Sequence, residues 1–154
     1  MMKIVGKILG IFLLVFIFSN NLYSQVKADD IVGVYLTYDK LTKQNSKIEI
    51  FKLHDNTYSG KVIWLEKPLD KDGKPYCDVL NPDPSKRHVR CDNMTILYGF
   101  TFKKGEWVDG KVYNPTNGKT YTAKMNFETK TKLKLRGYVG HPMFGATEYW
   151  TKIK

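Results

Sequence analysis

The sequence has few of the residues and motifs that carry out enzymatic chemistry. Its 154 residues include two cysteines and three histidines. None of the histidines, His54, His88 and His141, lies in a metal-binding or catalytic-triad motif. The sequence also lacks a Gly-x-Ser-x-Gly motif and a glycine-rich loop of the phosphate-binding kind. We therefore expect a protein that is not an enzyme and that uses no metal or cofactor.

Acidic residues are scarce relative to basic ones, 15 against 25, so the formal net charge is +10. A basic surface attracts anionic lipid headgroups or polyanions. Nucleic acid is a poor candidate partner because no motif for reading bases is present. The ordinary glycine and proline counts exclude collagen-like and low-complexity chains, and 14% aromatic residues supply ample apolar surface for a core.

Long hydrophobic runs are missing as well. The apolar stretch Ile8–Phe18 follows the basic residues Lys3 and Lys7, and the small residue Ser24 closes the polar segment behind it. The stretch is well short of the roughly 20 residues that span a bilayer. This arrangement is typical of a secretory signal peptide.

We predict that residues 1–24 are a signal peptide and that residues 25–154 form a single exported domain, secreted or periplasmic. Cleavage after Ala28 and an uncleaved anchor are the alternatives. No cysteine lies near the predicted cleavage position, which argues against a lipid-anchored lipoprotein.

The rest of the chain shows no helical period of useful length. Apolar and polar residues instead alternate with period two, which is typical of β-strands with one buried face. The pattern predicts eight strands: Ile31–Tyr38, Lys47–Leu53, Thr57–Leu65, Met94–Lys103, Trp107–Tyr113, Lys119–Phe127, Lys132–Val139 and Ala146–Lys154.

Short turns separate several of these strands, at Asp55-Asn56, Lys104-Gly105 and Pro115-Thr116-Asn117-Gly118. Asparagine and glycine supply the positive φ angles that tight turns require. Short connections predict an antiparallel meander. An up-and-down β-barrel of eight strands removes exposed edges, so we predict this all-β fold, with a two-sheet sandwich as the alternative. Gly60 and Gly99 interrupt strands and mark either a bulge or bend in a curved sheet, or positions that simply face solvent or a crowded neighbour.

An eight-stranded barrel is wide enough to hold one small ligand. If the strands alternate regularly, seven large side chains line the interior as ligand-binding residues: Tyr58, Trp64, Tyr98, Phe100, Tyr121, Met125 and Leu135. We predict that they bind a small hydrophobic or amphipathic molecule. The alternative is a filled core, which leaves a structural or envelope-interaction protein whose basic strand face, Lys132, Lys134 and Arg136, contacts anionic lipid or a polyanion.

One long segment, Glu66–Asn93, has no strand pattern, and a loop of this length is usually functional or tied down. Cys77 and Cys91 lie within it, 14 positions apart. Because the chain is predicted to be exported to an oxidising compartment, we predict a disulfide between them. The two cysteines form half a zinc site at most, so metal binding is not expected.

Asp83 and Pro84 predict a short helical turn inside this loop, with Asp83 as its cap. Either this motif only orders the loop, or the loop forms a lid or rim over the barrel mouth. If it forms a rim, its polar contacts are Asp78, Asn81, Asp83 and Arg87. His141, which precedes Pro142 between the last two strands, is either a further mouth residue or a solvated loop residue.

Several motifs in order resemble the exported bacterial family called domain of unknown function 2147. They are Gly33-Val34-Tyr35-Leu36-Thr37, Gly60-Lys61-Val62-Ile63-Trp64-Leu65, the Asp78…Asn81-Pro82-Asp83-Pro84…Arg87 loop, Ile96-Leu97-Tyr98-Gly99-Phe100, Trp107…Gly110-Lys111-Val112-Tyr113-Asn114-Pro115…Gly118-Lys119-Thr120-Tyr121, and Leu135-Arg136-Gly137-Tyr138-Val139-Gly140…Phe144-Gly145…Trp150-Thr151. The resemblance covers essentially the whole predicted mature chain.

The resemblance implies a lipocalin-like β-barrel with no established activity. Three features depart from the family pattern. Tyr35 stands where the opening motif usually has tryptophan, the two cysteines are not part of the pattern, and Arg90-Cys91-Asp92-Asn93 replaces an apolar stretch that contains proline. The predicted disulfide is therefore particular to this chain.

Overall fold

The structure, a computed structural model, describes residues 25–154, and the predicted signal peptide lies outside the described residues. These residues form eight strands: β1 Gly33–Asp39, β2 Gln44–Lys52, β3 Tyr58–Leu65, β4 Thr95–Lys103, β5 Glu106–Asn114, β6 Lys119–Phe127, β7 Lys132–Tyr138 and β8 Gly145–Lys152. Each strand pairs antiparallel with the next, and β8 pairs with β1 to close the barrel. The predicted eight-stranded barrel is confirmed, and the sandwich alternative is excluded.

The predicted turns join neighbouring strands as expected. Lys104 and Gly105, with φ angles of 52° and 85°, turn β4 into β5. Gly118, with φ of 68°, ends the turn between β5 and β6. Within residues 25–154 helical structure is limited to short 3₁₀ turns, and none of it is long and apolar enough to cross a bilayer.

The segment before β1 closes one end of the barrel. We predicted that the first strand begins at Ile31, but residues Ala28–Ile31 form a 3₁₀ turn and β1 begins at Gly33. Two side chains from inside the barrel bind this turn: the Trp107 indole N–H donates to the Ala28 carbonyl at 3.0 Å, and the Tyr35 hydroxyl donates to the Ile31 carbonyl at 2.6 Å. The turn therefore acts as a plug.

A third contact holds the plug on the neighbouring strands. The Tyr58 hydroxyl donates to the Asp29 carboxylate, which also forms an ion pair with Lys52 at 3.0 Å. Burial, reinforced by this hydrogen bond, raises the pKa of Tyr58 to about 12. The same bond and the Lys52 ammonium lower the pKa of Asp29.

The half of the barrel nearest the plug is packed solid with large side chains. Trp107 packs against Phe102 at a ring-centroid distance of 5.0 Å and meets Phe127 edge-on at 5.6 Å. The residues that are almost fully buried there include Tyr35, Tyr58, Phe100, Trp107, Met125 and Leu133. This half forms the hydrophobic core, and we call it the closed end.

Both ends of the described chain meet at the closed end. The Val34 amide donates to the Lys154 carbonyl at 2.9 Å, and the Lys152 ammonium donates to the Asp30 carbonyl at 2.6 Å. Beside them, β1 and β8 pair at Tyr35–Lys152 and Leu36–Thr151, whereas β1 and β2 pair over seven residues. The β1–β8 seam is therefore joined near the closed end and not beyond it.

Two irregularities change the side to which aromatic residues point. The register between β2 and β3 shifts at Lys47 and Ile48, so Trp64 pairs with Lys47 while Val62 pairs with Ile48. In β4, Gly99 has a φ of 64°, which breaks the alternation between Tyr98 and Phe100.

Candidate functional site

The half of the barrel opposite the plug is hollow. A cavity of about 960 Å³ opens at the end where β1 meets β2, β3 meets the long loop, β5 meets β6 and β7 meets β8. We call this end the mouth. Ligand-binding cavities in proteins usually have volumes of 300–1,000 Å³. The space is therefore large enough for a small organic molecule.

The cavity narrows onto an apolar floor and has polar groups on its walls. The apolar residues of the floor are Ile48, Val62, Ile96, Val112, Leu135 and Trp150. The polar wall residues include Thr37, Gln44, Ser46, Tyr121 and Glu148. Because Trp150 and Leu135 are almost fully buried, they separate the hollow half from the packed core.

Glu148 carries a carboxylate into this cavity. It lies two residues before Trp150 on β8 and pairs with Leu135 on β7, so all three side chains share the inner face. Its Oε2 accepts a hydrogen bond from the Trp150 indole N–H at 3.2 Å. No other hydrogen bond or ion pair joins Glu148 to a residue between 25 and 154.

The seven residues predicted to bind a ligand fall into three groups. Tyr121 and Leu135 line the cavity. Tyr58, Phe100 and Met125 are buried in the closed end, where they form core.

The other two predicted residues, Trp64 and Tyr98, lie outside the barrel with exposed fractions of 39% and 43%. The register shift before Trp64 and the left-handed backbone at Gly99 turn these rings outward. The Lys47 ammonium lies 5.0 Å from the centre of the Trp64 indole ring, and the Tyr98 hydroxyl donates to the Thr95 carbonyl.

The long loop between β3 and β4 is fixed by a buried carboxylate. Asp78 is 1% exposed, and it accepts hydrogen bonds from the Tyr113 hydroxyl and the Asn81 amide, both at 2.6 Å. Burial is the main cause of a raised Tyr113 pKa, and the bond to Asp78 adds to it. Asp78 therefore anchors the loop to β5, and Asn81 binds the Asp78 carboxylate from within the loop.

The other predicted loop residues hold local turns. Asp83 caps the 3₁₀ turn Pro84–Lys86 by accepting from the Ser85 amide at 3.0 Å, which confirms the predicted helical turn. The Arg87 guanidinium donates to the Asn81 carbonyl at 2.9 Å. His141 Nδ1 accepts from the Met143 amide at 3.2 Å. None of these three side chains lines the cavity.

The mouth receives other residues from the same loop. Tyr76, Cys77, Val79, Leu80 and Cys91 line it. The loop does border the mouth, but through these residues. The predicted rim contacts Asp78, Asn81, Asp83 and Arg87 do not line the cavity and instead form hydrogen bonds that order the loop.

The predicted disulfide is not present: Cys77 and Cys91 are free thiols. The local pairing explains why, because Cys77 lies opposite Arg90 and the Cys91 amide donates to the Tyr76 carbonyl. The two cysteines are therefore offset by one residue along the pair. Burial is the main cause of a pKa of about 11 for Cys91, with Asp78 and Cys77 adding to it.

The polar residues on the cavity wall are not among the predicted ligand-binding residues, because the prediction used the rows of aromatic side chains. Thr37, Gln44, Ser46 and Glu148 occupy alternate positions with Tyr35, Ile48 and Trp150, so their inward direction was encoded in the same period-two pattern. Among residues 25–154, no group of three or more histidine, cysteine, aspartate or glutamate side chains is placed to hold a metal ion.

Comparison with known proteins agrees with this architecture. A similar solved structure is that of protein HP1028 from the human pathogen Helicobacter pylori, which is described as belonging to the lipocalin family. The two chains are 27% identical, with a TM-score of 0.66 over 80% of this chain and 82% of the other. No curated protein matches the sequence.

The sequence pattern of a bacterial family described as uncharacterised proteins conserved in bacteria matches residues 33–152, which is the whole barrel from β1 to β8. The chain therefore belongs to the DUF2147 family and has a lipocalin-like fold.

Proposed function

We propose that this protein is a non-enzymatic binding protein that holds one small hydrophobic or amphipathic molecule in the open half of its barrel. The observation that carries the proposal is the cavity of about 960 Å³ above a solid closed end. Its floor is apolar and its walls carry a few polar groups, as in most small-molecule sites. The likeness to a lipocalin-family protein supports the same conclusion.

The partition of the barrel into two halves strengthens the proposal. The buried core runs from the closed end up to the floor residues Ile48, Val62 and Leu135, and the polar wall residues above them are not part of it. Burying a ligand's apolar surface against Ile48, Val62 and Leu135 contributes about 25 cal/mol for each Å² removed from water. An aliphatic or aromatic body therefore binds to the floor, and its polar end points to the mouth.

The test is binding of the neutral fluorescent probe N-phenyl-1-naphthylamine. The fluorescence of this probe rises in apolar surroundings, and we expect a saturable increase with one probe per chain. Ala146, which lines the cavity near the mouth, allows the space to be filled without disturbing the core. We expect Ala146→Phe to weaken probe binding at least tenfold.

The matched control is Thr151→Phe, which adds the same ring to the same strand on its exposed outer face. This variant should bind the probe as the unaltered protein does, and circular dichroism should show both variants folded. Non-saturable binding, or equal binding by the two variants, would contradict the proposal.

A second candidate function, contact with an anionic membrane surface, is favoured at the mouth more than on the basic strand face. Around the mouth, Leu41, Val139, Met143 and Phe144 are between 69% and 79% exposed. Exposed apolar side chains at one end of a molecule mark interaction surfaces. Lys40 and Lys43 flank Leu41 in the turn between β1 and β2.

Two side chains of the basic strand face are already engaged in bonds within the protein. Lys132 pairs with Glu128 at 3.0 Å, and the Arg136 guanidinium donates to the Pro142 carbonyl and the Thr147 hydroxyl, both at 2.7 Å. Sedimentation with anionic vesicles tests this candidate. Phe144→Ser should reduce sedimentation if the mouth makes the contact, and Lys134→Ser should reduce it if the strand face does.

A further inference from the structure

The charges around the cavity are arranged unevenly, and Glu148 is the group that faces its interior. Two other charged residues, Asp39 and Lys67, touch the cavity at its rim. Asp39 is engaged, because its Oδ1 accepts hydrogen bonds from the amides of Leu41 and Thr42 at 2.7 and 3.1 Å. Lys67 is exposed and belongs to the loop that follows β3. Glu148 thus remains as a carboxylate on the inner wall.

The position of Glu148 suits it for contact with a ligand. On the inner face of β8 it is the next residue towards the mouth from Trp150, which belongs to the apolar floor. The Trp150 indole occupies Oε2, which leaves Oε1 with no hydrogen-bond partner within the described barrel. Glu148 is exposed through the open mouth, so an incoming ligand can reach this oxygen. A carboxylate oxygen binds a hydrogen-bond donor, and most strongly a cationic one.

We infer that the ligand of this cavity is a cationic or hydrogen-bond-donating amphiphile whose ammonium or N–H group binds the Glu148 carboxylate while its apolar body lies on the floor. This inference rests on the proposed function and specifies its ligand class. A fatty-acid carboxylate, in contrast, would bring a second negative charge towards Glu148. The arginine and lysine side chains of β7, including Lys134 and Arg136, lie on the outer face. The cation that lines the cavity is Lys67, which is exposed at the rim.

The experiment compares three ligands that share a chain and differ in their head group: n-decylammonium, n-decanol and n-decanoate. Each is titrated at pH 7.5 against protein loaded with N-phenyl-1-naphthylamine, and displacement of the probe is measured. We expect decylammonium to bind about tenfold more tightly than decanol, because a charge-assisted hydrogen bond is replaced by a neutral one. Decanoate should bind most weakly of the three.

Glu148→Gln keeps an acceptor for the Trp150 indole N–H and removes the charge. In this variant decylammonium should lose about tenfold in affinity, while decanol stays within about twofold. Glu49→Gln is the matched control, because Glu49 lies on β2 between the inward residues Ile48 and Ile50 and does not line the cavity. It makes the same change in net charge and should leave all three affinities unchanged.

The outcomes separate this inference from the proposed function. If the probe binds in the cavity but decanoate is the tightest ligand, or if Glu148→Gln and Glu49→Gln behave alike, the assignment to Glu148 is wrong and the binding function stands. If neither the probe nor any decyl compound binds, both proposals are wrong. A decylammonium preference that Glu148→Gln removes and Glu49→Gln keeps supports the inference.

Discussion

Two glycines on the inner face of the barrel have opposite consequences. At Gly110 the Phe100 ring occupies the space where a side chain would begin, and a Cβ there would lie 2.3 Å from the ring. At Gly137 the nearest atom to such a Cβ is a Val112 methyl carbon at 3.3 Å, and the position lines the cavity. One glycine makes room for the core, and the other contributes to the hollow.

Gly110→Ala is therefore expected to destabilise the protein more than Gly137→Ala. The Phe100 ring is buried and has no free space to move into, so overpacking should cost about 1–3 kcal/mol. Gly137→Ala requires a shift of a few tenths of an ångström beside an open space and should cost less than about 1 kcal/mol. Urea unfolding of both variants measures the difference, and equal losses would contradict the packing described for Phe100.

The raised pKa of Cys91 predicts slow alkylation. Only the thiolate reacts, so a thiol with a pKa of about 11 should react at pH 8 about a hundredfold more slowly than an unperturbed one. The Cys77→Ser variant isolates this thiol, and mass spectrometry after iodoacetamide treatment follows it. The rate should rise about tenfold for each pH unit up to pH 10. The same variant unfolded in denaturant is the control, and equal rates at pH 8 in the two states would contradict the burial of Cys91.

Among the elements, the long loop depends on the bond between Asp78 and Tyr113. Its 3₁₀ turns are short, and the polar contacts within it are local ones such as Asp83 with Ser85. Its first two residues are tied to β2, where Glu66 accepts from the Asn45 amide and the Lys67 amide donates to the Gln44 side chain. Asp78, in contrast, joins the loop to β5 over a sequence separation of 35 residues. The middle of the loop is therefore joined to β5 by one buried carboxylate.

Tyr113→Phe tests this dependence. The substitution keeps the ring and removes one donor to a buried carboxylate, which should cost about 1–3 kcal/mol of unfolding free energy. Tyr121→Phe is the control: its hydroxyl contacts the exposed Asn117 amide, so we expect a loss within about 0.5 kcal/mol. Thermal unfolding of the two variants gives the comparison, and a neutral Tyr113→Phe would show that the loop is held by other contacts.

The strands show what a sequence pattern reveals about a barrel. Period-two alternation identified all eight strands, because half-buried strands repeat their environment every second residue. It misplaced Trp64 and Tyr98, because a bulge adds one residue and reverses every later side chain. Gly99 signalled such a break, and the structure shows its left-handed backbone, but the sequence alone does not tell which strand partner absorbs the extra residue.

At the scale of the whole molecule, the barrel is a solid half joined to a hollow half. The sequence predicted large apolar residues inside but not their division, because alternation reports direction and carries no information on height along the axis. Height is set by strand register and by the plug at Ala28–Ile31, both of which depend on long-range contacts. A cavity could therefore be predicted from the sequence, but the position of its floor and the presence of the Glu148 carboxylate in it could not.

This division predicts a gradient in amide hydrogen exchange. Amides beside the packed core, such as those of Met125 and Leu133, should be the best protected, because exposing them requires opening the core. Amides of the same strands near the mouth, such as those of Tyr121 and Tyr138, should exchange faster. Exchange measured by NMR tests this within β6 and β7 together, and uniform protection along both strands would contradict a hollow upper half.

The position of Lys154 beside the start of β1 also governs how the protein can be attached to a support. The bond from the Val34 amide to the Lys154 carbonyl places Lys154 on the side of the barrel remote from the opening. A tag, a fused partner or a surface linkage at Lys154 would therefore leave the opening facing free solution. When the protein is immobilised in that orientation, the cavity of each molecule is open to ligand in the flowing solution.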